Sequence, residues 1–156
     1  KKIVERKEKN AETKAENQLL EEIVKTCEMN VPDCMVETQI DNYLHDFEYS
    51  LMYQGLKLDD YVKYTNTSID DIRAQYKDRA KKTVETRLVM EAIIKAEKIK
   101  SDKKSVNAKI ADYAKQMNVD AKEYAAQLNA EQTSYIENEV ITDKLLEFLK
   151  SNNSII

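Results

Sequence analysis

The stretch SIDDIRAQYKDRAKKTVETRLVMEAIIKAEK, Ser68 to Lys98, contains neither glycine nor proline. Ser68 reads as a helix cap, with Asp71 three residues on in an acidic first turn. Ile69, Ile72, Tyr76, Ala80, Val84 and Leu88, continuing to Ile94, recur at threes and fours and mark one buried face to about Lys98. Outward from this run the pattern holds. Gly55 is the only glycine and Pro32 the only proline among 156 residues. Sheets and phosphate loops need glycine-punctuated turns, so the chain reads as all-α, a set of long helices joined by short turns.

Upstream, a first helix runs to about Cys27 on Val4, Ala11, Ala15, Leu19 and Ile23, ended by Val31-Pro32. Its alanine-rich first half buries little and is expected to project or to lie against another part of a larger protein. A second helix begins at Pro32, with Val36, Ile40, Tyr43, Leu44, Phe47 and Leu51 inward, and Gly55 closes it as a left-handed cap. A short helix spans about Leu58 to Tyr64, ended by Asn66. Downstream, Ser101 is read as the cap of a helix carrying Val106, Ile110, Tyr113 and Met117, and Asp120 as the cap of a short helix around Tyr124. A last helix carries Ile136, Val140, Leu145, Leu146 and Leu149. The reading is of one helical domain over 1–150, with 151–156 a frayed tail.

The second half echoes the first. Val36, Ile40 and Tyr43 match Val106, Ile110 and Tyr113 at an offset of 70, and Tyr61 matches Tyr124 at 63. Val84, Leu88, Ile93 and Ile94 match Ile136, Val140, Leu145 and Leu146 at 52. The offsets fall by 7 and 11, close to whole helical turns of 3.6 residues, so a helix can shorten without rotating its apolar face. Each half is then a long helix, a short one and a second long one. Two such units imply helical arms with a cleft between them.

Apolar residues make up 42% of the chain, enough for a core, and 35% are charged with signs mixed, as in Glu5/Lys9 and Glu21/Lys25. A net charge of −4 disfavours nucleic acid as a partner. No apolar run approaches the ~20 residues of a membrane span, and no signal peptide is read at the start. A cytoplasmic protein is expected. The opening Lys1-Lys2-Ile3-Val4, already helical in pattern and without an initiator Met, is read as the edge of a piece of a longer protein. Cys27 and Cys34 flank the Pro32 turn and are read as reduced structural thiols.

Catalytic chemistry is missing. His45 is the only histidine, has no second metal ligand at a suitable spacing, and is read as a boundary residue on a helix face. Asp59-Asp60 and Asp70-Asp71 sit in helix first turns, where the helix dipole favours negative charge. No enzyme activity and no cofactor are expected. Nine tyrosines stand against two phenylalanines. A tyrosine buries its ring and keeps its hydroxyl wet, which suits contact surfaces. Tyr49, Met52 and Tyr53 lie off the inner stripe of the second helix, and Tyr113 and Met117 lie four apart.

Ala15-Glu16-Asn17-Gln18-Leu19-Leu20 and Val31-Pro32-Asp33-Cys34-Met35-Val36-Glu37, followed by Gln54-Gly55-Leu56 with Tyr61 and by Thr86-Arg87-Leu88-Val89-Met90-Glu91-Ala92-Ile93, resemble the C-terminal chaperone domain of bacterial trigger factor. The resemblance implies an elongated helical body with two arms, similar to SurA-type chaperones. It implies cradling of nascent and unfolded polypeptides without ATP. Ribosome docking and proline isomerisation belong, in the family, to other domains whose signatures this sequence does not carry. Carried over by position, the client-contacting residues are Ile110, Tyr113, Met117, Tyr124 and Leu128 on the second arm. Those on the first are Met35, Met52, Tyr53 and Leu56. The competing reading is a helical scaffold that binds one defined partner or self-associates.

Overall fold

The computed structural model describes residues 2–153, apart from the side chains of 2–5, 8 and 9. Val4, Glu5 and Lys9 of the first apolar and charge patterns, and residues 154–156 of the tail, therefore lie outside what is described. Seven helices make up the described residues, with no strand among them: α1 Lys2–Thr26, α2 Asp33–Tyr53, α3 Leu58–Thr65, α4 Ile69–Ala96, α5 Lys103–Met117, α6 Ala121–Gln127 and α7 Ala130–Asn152. The last helix runs two residues into the stretch expected to fray. Proline stands at the N-cap of α2, in extended backbone, rather than inside its first turn.

Helix ends are set by local chemistry. Among the described residues four adopt left-handed backbone, Gly55 at φ 75°, Asn66 at 52°, Lys98 at 52° and Asn118 at 55°. After each, the next amide reaches back to the carbonyl five residues earlier: Leu56 to Leu51 (3.0 Å), Thr67 to Val62 (3.2 Å), Ile99 to Ile94 (3.0 Å) and Val119 to Ala114 (3.0 Å). This hydrogen bond satisfies carbonyls that the helix end would otherwise leave bare. At the start of α4, Ser68 and Asp71 cap reciprocally, the Asp71 amide donating to Ser68 Oγ at 3.1 Å and the Ser68 amide to Asp71 Oδ2 at 2.9 Å. The Ser68 hydroxyl, donating to Asp71 Oδ2 at 2.7 Å, and after it the Ser68 amide hold the Asp71 carboxyl below its usual pKa. The cap of α5 is Asp102, not Ser101: its Oδ1 accepts from the Ser105 amide at 2.9 Å. Asp120 caps α6 as expected, and Asn129 with Gln132 forms a full capping box on α7 that the sequence reading missed.

The helices sort into two compact units, residues 20–89 in one and residues 1–19 with 90–156 in the other. In the first, Val36 and Ile40 of α2 pack with Ala80 of α4, joined by Val31, Tyr43 and Tyr76. In the second, Val106 and Ile110 of α5 pack with Ile136 and Val140 of α7, joined by Tyr113, Tyr124 and Leu128. Helices α2, α3 and α4, and again α5, α6 and α7, run long, short, long, as the offsets predict, while α1 and the end of α4 add to these series. The matched tyrosines even play the same part, Tyr43 Oη meeting Thr83 Oγ1 at 2.8 Å and Tyr113 Oη donating to Glu139 at 2.5 Å. Thr83 and Glu139 are 56 apart, however, so the third helices pair one turn away from the offset of 52 read from sequence.

Ion pairs fix the crossing of helices within each unit. Arg73 of α4 reaches Asp41 (2.5 Å) and Glu37 (2.7 Å) of α2. Lys109 of α5 holds Asp143 of α7 at 2.6 Å, and Lys144 holds Asp102. Lys150 of α7 bridges Glu12 (2.7 Å) and Glu16 (2.6 Å) of α1. Lys150 of α7 thus reaches the acids at the edge of the alanine-rich half of α1, while Ala11 itself stays exposed and Ala15 half-buried. Lys25 pairs with Glu22 at 2.6 Å rather than with Glu21.

Candidate protein-interaction surface

Helix α2 is apolar on two faces. The inner one buries Val36, Ile40 and Leu51. The other carries His45, Tyr49, Met52 and, past the turn, Leu56, at spacings of four, three and four. Those four side chains, with Glu48, Lys57 and Leu58, line an open cavity of about 330 Å³. That is the lower end of the range for ligand pockets. The left-handed Gly55 is what folds Leu56 back beside the end of α2. Met52 is 64% exposed, Tyr53 93% and Tyr49 48%. Behind them Phe47 meets Tyr61 of α3 edge-on at 5.1 Å, which seats the short helix.

His45, read from sequence as a boundary residue, stands on the rim of this cavity. Its ring meets Tyr49 edge-on at 4.7 Å, and Nδ1 lies 3.6 Å from Glu48 Oε2. Among the described residues, no three His, Cys, Asp or Glu side chains converge as a metal site. Cys27 and Cys34 are free thiols and both are exposed, so neither does the packing work of a buried structural cysteine.

The positions expected on the second arm separate into inside and outside. Ile110 is 8% exposed and belongs to the core of its unit, so it is not open on the surface. Tyr113, Tyr124 and Leu128 are half-buried against the same core. The Tyr113 hydroxyl is committed to Glu139, and that hydrogen bond, with burial adding to it, pushes its pKa up to about 12. Met117, one turn further along α5, is 62% exposed. Met35 is half-buried on α2, as is Leu56. Exposed Tyr135, Val119 and Tyr64 were missed. Tyr135 could have been found from its place beside, not on, the Ile136–Val140 stripe.

An all-helical chain that leaves tyrosine and methionine side chains wet on both of its units is a surface-presenting domain. No helix among its described residues is long and apolar enough to cross a membrane. The family model described as bacterial trigger factor protein (TF) C-terminus matches residues 1–151, and the chain belongs to that family. Membership supports a chaperone-type role. The trigger factor of Bacillus cytotoxicus is 38% identical over 112 residues, 72% of this chain and 26% of the relative. That of Clostridium beijerinckii is 32% identical over 150 residues, 93% of this chain and 35% of the relative. That of Acetivibrio thermocellus is 30% identical over 156 residues, all of this chain and 36% of the relative. The chain thus spans about a third of the length of these curated relatives. No solved structure matches it.

Proposed function

We propose that this chain is an ATP-independent chaperone domain that holds unfolded or nascent polypeptides by their apolar segments. The observation that carries this reading is the wet apolar stripe of α2, Tyr49, Met52 and Tyr53, beside a cavity completed by Leu56. Met117 supplies a second patch in the other unit, edged by the half-buried Tyr113, Tyr124 and Leu128. Met35, half-buried, lies at the opposite end of α2 from the first patch. Methionine adapts its flexible thioether to irregular partners, and tyrosine offers a large ring with a wet hydroxyl. Each patch is small and binds weakly. A client with several apolar segments meets several patches, and linkage through its own chain multiplies the affinities. Weak individual contacts exchange quickly, so a client leaves to fold.

The test replaces Tyr49 and Met52 with serine. Both are exposed, so helicity by circular dichroism should not change. Suppression of aggregation should fall for three unrelated proteins diluted from guanidinium. Undiminished suppression would remove these residues from the client site. Binding of one folded partner alone, or sedimentation as a stable dimer, would favour the scaffold reading instead.

A further inference from the structure

We propose that α6 is a displaceable flap, and that the face it covers on α5 and α7 is a docking site for a short apolar polypeptide segment bearing an aromatic and an aliphatic side chain four residues apart. This inference rests on the client-binding reading above and gives it a site that the resting structure conceals.

Helix α6 has seven residues, and none of them is buried. A helix that short does not persist in water by itself, so contacts must hold it. Two side chains do: Tyr124 and Leu128, half-buried on the cluster of Val106, Ile110, Ile136 and Val140. Among the described residues, no side-chain hydrogen bond or ion pair ties 121–128 to another helix, and the Asp120 cap serves only the amides of Lys122 and Glu123.

The neighbouring ends are closed without it. Helix α5 finishes on its own turn, left-handed at Asn118 with Val119 N–H bonded to the Ala114 carbonyl at 3.0 Å. Helix α7 begins with the Asn129–Gln132 capping box. Departure of α6 therefore orphans no backbone group of either flanking helix. Left-handed Asn118 on one side and extended Leu128 and Asn129 on the other are the joints about which it would swing. What it uncovers is the outer side of the core and the Tyr113 ring, whose hydroxyl stays fixed on Glu139. The chemistry of the occupant follows from what sits there now: a tyrosine and a leucine four apart. Segments that open for little free energy are the ones a ligand can displace.

Hydrogen exchange on the full chain tests the flap. The amides of 121–128 should exchange about 100-fold faster than those in the middle of α5 and α7, through local rather than global opening. A peptide with the sequence of residues 119–129 should compete for the face and strip the remaining protection from α6 while α5 and α7 keep theirs. The same peptide with alanine for its tyrosine should not. In the protein, Tyr124→Ala should speed α6 exchange and tighten peptide binding about tenfold, because more of the chain is already open, and Tyr124→Phe should restore both. Exchange of α6 in step with α5 and α7 would overturn the proposal, as would peptide binding that Tyr124→Ala leaves unchanged or weakens. Should that happen while the Tyr49 and Met52 replacements still abolish aggregation suppression, the flap fails and the chaperone reading stands.

Discussion

Gly55→Ala isolates a backbone effect, because a Cβ at this position would meet nothing within 4 Å. No clash can contribute, and what remains is the left-handed φ of 75°. An L-residue pays roughly 1–2 kcal/mol there. Alanine also stiffens the unfolded chain, which returns about 0.4–1 kcal/mol. The net loss should be about 1 kcal/mol, equivalent to roughly 2–4 °C in midpoint for a chain of this size. Urea unfolding followed at 222 nm should show a lower midpoint with an unchanged slope. Gly55→Asn should lose less, since asparagine tolerates this backbone. Lys98→Gly is the mirror experiment: a lysine at φ 52° relieved of the same strain should raise the midpoint. A Gly55→Ala protein as stable as the parent would refute the assignment of strain to this turn. A loss above about 3 kcal/mol would refute it too, since only a clash of the kind met in overpacked cores reaches that size. The turn also places Leu56 at the cavity, so client suppression by Gly55→Ala gives a second readout.

Leu145→Ala, at a position with no exposure, should destabilise by about 2–5 kcal/mol, whereas Met117→Ala, mostly in solvent, should stay within about 0.5 kcal/mol; similar losses in urea unfolding would contradict the division between core and contact surface. Tyr113 binds its proton more tightly folded, at about 12, than the ordinary tyrosine near 10. Its contribution is therefore whole below pH 10 and drains away as pH rises from 10 to 12. Tyr113→Phe should lose that part of the alkaline decline in urea midpoint between pH 10 and 12, and an identical decline in both proteins would show that the Glu139 bond does not persist in solution.

Much was decided by the sequence alone. Freedom from glycine and proline, apolar residues at threes and fours, and caps such as Ser68–Asp71 act within a few residues of one another, so all-helical structure and most boundaries follow from local chemistry. So does the doubling into long, short and long helices. The caps that were missed had equally local causes. Asp102 wins over Ser101 because its carboxylate reaches the Ser105 amide while Lys144 neutralises it. Lys98 turns left-handed although nothing in its side chain favours it.

What the stripes could not say is where their cover ends. Ile110, Tyr113 and Met117 lie on one face of one helix, and periodicity treats them alike. Only tertiary packing separates them: Ile136 and Val140 close over Ile110, Glu139 claims the Tyr113 hydroxyl, and Met117, at the last turn of α5, stays 62% exposed. The pairing of third helices one turn from the sequence register has the same origin, since register between helices is set by which side chains interdigitate. Burial depends on what a distant segment brings to a face, and a helix's own period carries no record of that.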